Sequence, residues 1–104
     1  TDVPFEYDPV LPESFTLYQN YPNPFNNATT IEFSLPAHSA VTLEILNILG
    51  EHVRTLLDRT LPAGTFRIEW DGTNEQGQPA ASGTYLYRLT TATTVLTKKL
   101  ILLK

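Results

Sequence analysis

The chain has no cysteine and no methionine, a single tryptophan, and only five glycines in 104 residues. Without cysteine there is no disulfide to support a fold and no thiol for redox, nucleophilic or metal chemistry. The same absence does not argue for the cytosol, because cysteine-free extracellular bacterial modules are ordinary. No apolar run approaches the roughly 18 residues that a helical membrane span needs. No charged-then-apolar leader stands ahead of the first residues, and the chain opens on Thr1. We read it as the tail of a longer protein whose signal peptide lies elsewhere.

Basic residues are also scarce, seven against eleven acids, for a formal net charge of −4. That charge is not a property of the whole chain. Residues 1–14 hold Asp2, Glu6, Asp8 and Glu13 and no base, whereas residues 15–104 hold seven acids and seven bases. The acidic stretch also carries Pro4, Pro9 and Pro12, which is the composition of an extended linker. The expected organisation is therefore an acidic, proline-rich linker over 1–14, leading to a missing upstream domain, and one domain over 15–104. Seven dispersed bases assemble no basic face, which disfavours nucleic acid as a partner.

What the chain does have is alternation. Ile31, Phe33 and Leu35 alternate with mostly polar neighbours, as do Val41, Leu43 and Ile45 (with Thr42, Glu44 and Leu46), then Phe66, Ile68 and Trp70, then Tyr85, Tyr87 and Leu89 (with Leu86, Arg88 and Thr90). Period two places one set of side chains on a core face and the other toward solvent. The nearest thing to a helical stripe, Leu46 to Leu57, is interrupted by Gly50. Turn signals separate the runs at Pro22-Asn23-Pro24, Pro36-Ala37-His38, Asn47 to Gly50, Pro62-Ala63-Gly64 and Asp71 to Pro79. The spacing predicts seven strands, at 15–18, 29–35, 40–47, 52–58, 64–70, 83–91 and 94–103. The expected fold class is all-β, a seven-stranded antiparallel immunoglobulin-like β-sandwich without a disulfide.

Catalytic chemistry is thin, and the chain is not expected to be an enzyme. His38 lies in a proline-bounded turn and His52 opens a strand, with no register that aligns them on a metal. Ser34, Ser39 and Ser82 lack a nucleophile-elbow context. Glu32 and Glu44 are expected on outward faces of neighbouring strands, but a flat face offers no cleft for paired carboxylates. Asp71, Asn74 and Glu75 are the weak candidates for a calcium site. Their spacing misses the twelve-residue calcium loop, and an Asx-type turn at Asp71-Gly72, with Gly77 and Gly83 relaxing the backbone, is the preferred reading. No metal or cofactor is expected. Trp70, Tyr85, Tyr87, Tyr18, Tyr21 and Phe25 would make a sugar-stacking platform if exposed together, but the first three share strand faces with aliphatics and read as core. Tyr21 and Phe25, held between prolines, are expected either to be exposed or to fold down and plug one end of the sandwich.

The two ends of the domain are distinctive. Near the start stands Tyr21-Pro22-Asn23-Pro24-Phe25-Asn26, followed by a threonine-rich strand from Thr29 to Leu35. Then come Leu43 to Gly50, Leu61-Pro62-Ala63-Gly64, Trp70-Asp71-Gly72 and Ser82-Gly83-Thr84-Tyr85-Leu86-Tyr87-Arg88-Leu89. The chain closes on Lys98, Lys99, Leu100, Ile101, Leu102, Leu103 and Lys104. In this order the set resembles the C-terminal sorting domain, type A, of the type IX (Por) secretion system of Bacteroidota. The half from Trp70-Asp71-Gly72 to Tyr87-Arg88-Leu89 also resembles the Ig-like part of flagellar hook-capping proteins.

The sorting-domain resemblance implies a routing role rather than catalysis. An upstream cargo in the same chain would cross the periplasm and be recognised by the outer-membrane type IX translocon. A sortase-like peptidase would then remove the domain in or before the linker, leaving the product secreted or at the cell surface. It implies that Lys98 to Lys104 form the recognition signal, by pairing of an edge strand with a receptor strand and by the lysine charges. Other classes stay open on the residues alone: an accessory module of a secreted hydrolase, perhaps carbohydrate-binding, and a passive spacer.

Overall fold

The computed structural model describes residues 5–104. It contains β1 (Phe5–Asp8), β2 (Thr16–Leu17), β3 (Thr29–Leu35), β4 (Ser39–Asn47), β5 (His52–Leu61), β6 (Gly64–Trp70), β7 (Gly83–Thr90) and β8 (Val95–Leu102). They form two four-stranded antiparallel sheets, ordered β1-β6-β3-β2 and β5-β4-β7-β8. The expected all-β sandwich is what the chain adopts, with eight strands rather than seven among the described residues.

The alternating runs supply the core. Ile31, Phe33, Leu35, Leu43, Ile45, Phe66, Ile68, Trp70, Tyr87, Leu89, Leu100 and Leu102 are almost wholly removed from solvent, while most of their polar neighbours, Ser34 excepted, are at least partly exposed. Phe33 and Phe66, opposite each other on β3 and β6, stack at 5.4 Å between ring centroids. Such cross-strand aromatic pairs hold the register of a sheet as well as burying area.

The additional strand takes part of the acidic segment expected as linker over 1–14, whose first four residues lie outside the described residues. Phe5–Asp8, placed by composition in a linker, pair with Ile68–Thr65 at the edge of the first sheet. Tyr7 explains why. Its ring stacks on Phe66 at 4.8 Å and its hydroxyl donates to the Ala63 carbonyl at 3.2 Å. The residues between β1 and β2, 9–15, join no ladder and are largely exposed.

Gly64 is what lets β1 dock. A Cβ there would stand 2.5 Å from the Asp8 carbonyl oxygen and 2.6 Å from Tyr7 Cε1, at a φ of +148°. A backbone neighbour cannot yield as a flexible side chain can. Gly64→Ala is therefore expected to release β1 and destabilise the domain by about 1–3 kcal/mol. Hydrogen exchange over Phe5–Asp8 should accelerate while the Trp70 and Leu89 amides stay protected. Unchanged protection in β1 would show that the close approach is not required.

A second correction concerns Glu32 and Glu44. Strands β3 and β4 follow one another across the Pro36-Ala37-His38 turn, but that turn carries the chain from one sheet to the other. The two carboxylates lie in different sheets and do not face each other. Glu32 sits opposite Arg67 and accepts from its Nε at 3.2 Å; Glu44 sits opposite Arg88 and accepts from Nη2 at 3.3 Å. Each is a cross-strand ion pair on a partly solvated face, of modest worth.

Candidate functional site

The two distinctive ends, far apart in sequence, meet. Strand β8 lies at the edge of its sheet, with β7 as its ladder partner. Its other edge is largely taken by the opening segment. Phe25 N–H donates to the Ile101 carbonyl at 3.0 Å and its own carbonyl accepts from Leu103 N–H at 2.8 Å, forming a short parallel bridge. Asn23 Oδ1 accepts from Ile101 N–H at 2.9 Å, and Gln19 Nε2 donates to the Lys99 carbonyl at 2.8 Å. At the chain end, Lys104 N–H donates to Ser82 Oγ at 2.9 Å. Along the tail, the Lys99 carbonyl, both Ile101 main-chain groups and the Leu103 N–H are thus engaged within the domain, which leaves less of that edge to pair with a receptor strand.

A buried polar network holds the opening segment in this position. The Tyr87 hydroxyl donates to the Tyr18 carbonyl at 2.6 Å and accepts from Asn20 N–H at 2.9 Å. Asn20 Nδ2 donates to Thr29 Oγ1 and to the Pro22 carbonyl, and Thr29 Oγ1 donates to the same carbonyl. Gln19 Nε2 joins the network through Asn20 Oδ1. The peptide bonds before Pro22 and Pro24 are both cis. Phe25 then inserts its ring into the core, 5.5 Å from that of Trp70 between centroids, while Tyr21 stays 80% exposed. Of the two expected fates, Phe25 takes the plug and Tyr21 the exposure.

Sequence reasoning did not find Gln19, Asn20, Thr29 or Tyr87 as members of this arrangement. The one local signal was a pair of amides, Gln19-Asn20, immediately ahead of the proline-rich motif. The alternation that placed Tyr87 in the core carries no information about where its hydroxyl points.

Tyr87 gives the network a measurable signature. Burial pushes its phenol up to about 12, an effect the Asn20 N–H partly opposes by stabilising the phenolate. Since the folded value lies above the ordinary 10, the folded domain keeps this proton where the unfolded chain has lost it. The associated stability is complete below pH 10 and disappears as pH rises toward 12, by roughly 2–3 kcal/mol. Tyr87→Phe should lower stability at pH 7 by about 1–3 kcal/mol, because Asn20 N–H is left buried without its acceptor. It should also flatten the fall in urea-unfolding free energy above pH 10. Parallel alkaline slopes in variant and wild type would contradict this; some slope remains in either case, since burial raises the Tyr85 phenol too.

The tail itself alternates. Leu100 and Leu102 are fully buried, Ile101 and Leu103 are exposed, and Lys98 and Lys99 project to opposite faces of the strand. Lys98 lines a shallow recess with Phe15, Leu17 and Leu96 between the β2 and β8 edges, whereas Lys99 faces solvent beside Ile101. The two lysines therefore form no joint charge cluster.

The side-chain oxygens of Asp71, Asn74 and Glu75 each accept from donors of the domain itself. Asp71 Oδ1 accepts from Thr73 N–H at 3.2 Å, the expected Asx turn, and from Arg54 Nη1 at 3.1 Å. Asn74 Oδ1 accepts from the Gln76 and Gln78 N–H groups. Glu75 Oε2 accepts from Thr55 N–H at 2.9 Å, and Glu75 N–H donates to the Val53 carbonyl at 3.0 Å. The loop laces the edge of β5, with Gly77 and Gly83 at positive φ. Trp70, Tyr85 and Tyr87 are buried, as their strand faces led one to expect, and with Phe25 also buried no sugar-stacking platform is formed by these rings. His38 and His52 are exposed, and His52 Nε2 lies 2.9 Å from Thr55 Oγ1.

Comparison with known proteins places this geometry. No curated protein matches the chain. In the solved structure of dimeric latent PorU from Porphyromonas gingivalis, a similar region is 25% identical with a TM-score of 0.71, covering 92% of this chain and 10% of that one. PorZ of the same organism, described as an essential bacterial surface component of the type IX secretion system, is 19% identical with a TM-score of 0.55, over 88% of this chain and 12% of its own. That second likeness speaks to the fold alone. The chain thus spans about a tenth of the length of the solved proteins it matches. The family model described as the FlgD Ig-like domain matches residues 23–94, beginning inside the opening motif and stopping just before β8. By that match, the chain belongs to the FlgD Ig-like domain family.

Proposed function

We propose that this Ig-like domain is a non-catalytic C-terminal module that routes an upstream cargo through the outer membrane by the type IX system, to be secreted or held at the cell surface. The observation that carries this reading is the likeness to PorU over 92% of the chain, which extends past residues 23–94. In this reading the translocon and a sortase-like peptidase are partners, and the domain is their substrate. Since Phe5–Asp8 pair with β6, the accessible cleavage segment is Pro9 to Ser14, which is largely exposed and outside every ladder.

The test is a periplasmic reporter fused to residues 1–104, in a host with a working type IX system and in its translocon mutant. The expected result is reporter outside the first and retained in the second, with the tail trimmed within 9–14. Reporter retained in both, while the domain is folded, would overturn the reading.

A further inference from the structure

We infer that the opening segment and the tail form one composite docking surface, for a folded partner that presents carboxylates around an apolar seat. The inference rests on the routing role proposed above and specifies what its machinery would recognise. Three observations lead to it. First, Gln19, Asn23 and Phe25 each bond the backbone of β8, so the segment that displays Tyr21 is fixed against the strand that displays Lys99 and Ile101. Second, this region exposes large apolar side chains that the core does not use: Tyr21 at 80%, Leu103 at 53% and Ile101 at 37%. An exposed aromatic held on a rigid frame suits a binding anchor, because little side-chain or backbone freedom is lost on docking.

Third, the charge is complementary to an acidic partner. Among the described residues Arg54, Arg67 and Arg88 each face a carboxylate, whereas Lys99 and Lys104 have no such partner. Lysines left unpaired beside apolar side chains are positioned to meet carboxylates across an interface. The same bonds argue against an extended peptide as the occupant. Strand addition needs free backbone groups, and the Lys99 carbonyl, both Ile101 groups and the Leu103 N–H are already engaged. A partner must therefore read side chains, and it must read both ends together.

The experiment uses the full 1–104 fusion with Tyr21→Ser, Lys99→Gln and Lys99→Glu. Both side chains are exposed, so the melting temperature of each variant should stay within a few degrees of wild type. Export should fall about tenfold or more for Tyr21→Ser and for Lys99→Glu, and less for Lys99→Gln. Wild-type fusion that is itself retained would overturn the routing role and this inference with it. Wild-type export with Tyr21→Ser exported equally would overturn the composite surface alone, leaving at most a signal in the tail. Equal losses for Lys99→Gln and Lys99→Glu would overturn the acidic partner.

Discussion

Removal of Lys98–Lys104 is expected to unfold the domain rather than merely silence a signal. Leu100 and Leu102 are both fully buried, and Leu100 lies opposite Tyr85 in the β7–β8 ladder. Loss of one such leucine from a packed core costs about 2–5 kcal/mol. Two together approach the whole stability of an ordinary domain, about 5–15 kcal/mol. Truncation also takes the partners of Phe25, whose N–H and carbonyl bond Ile101 and Leu103. A chain of residues 1–97 should show no cooperative melt by circular dichroism, where 1–104 does. A cooperative transition within a few degrees of the full chain would show the tail to be dispensable to the fold. The practical consequence is that deletion cannot separate recognition from folding here, whereas exchange of an exposed side chain can.

Trp70→Ala should be the most damaging single substitution in the core. The indole is fully buried, its ring lies 5.5 Å from Phe25 and 5.6 Å from Tyr85, and its Nε1–H donates to the Thr73 carbonyl at 2.9 Å. Truncation to alanine leaves a large cavity and an unpaired carbonyl, for a loss of about 3–5 kcal/mol. Followed by circular dichroism, the urea midpoint should fall by roughly 2–4 M for a domain of this size. Trp70→Phe should lose less, because it keeps most of the packing and forfeits the hydrogen bond. A midpoint drop below about 1 M for the alanine variant would mean that the site collapses around the missing ring. Because Phe25 packs on this indole, the alanine variant should also loosen the hold of the opening segment on β8, visible as faster exchange at Ile101 and Leu103.

Most strands were legible because each buries a single face. Ile31 to Leu35, Phe66 to Trp70 and Tyr85 to Leu89 alternate with few exceptions (Ser34 is buried and Leu86 is apolar), and the strands lie where that alternation is. Alternation reports which face is buried and nothing about sheet membership. That is why Glu32 and Glu44 read as neighbours although they lie in different sheets. Strand β1 was hidden by its acids: Glu6 and Asp8 look like solvated linker, and its partner β6 is more than fifty residues away. Tyr7, one aromatic among carboxylates, was the available clue. The motifs at both ends were visible as motifs, but their contact joins residues 19–25 to residues 99–103 through amide side chains and main-chain groups. No local pattern encodes a contact of that kind.

The lacing of the second sheet at both its edges bears on how the domain responds to force. Among the described residues no ladder runs from one sheet to the other, so each sheet is hydrogen-bonded within itself and joined to its neighbour mainly by side-chain packing. Apolar packing resists separation of two layers better than it resists their sliding. The opening segment bonds both β3 and β8, and the loop after β6 bonds β5. These two crossings therefore act as shear keys. When β1 and the tail are pulled apart, the tension enters through sheet-edge strands and is resisted at the crossings before the core yields.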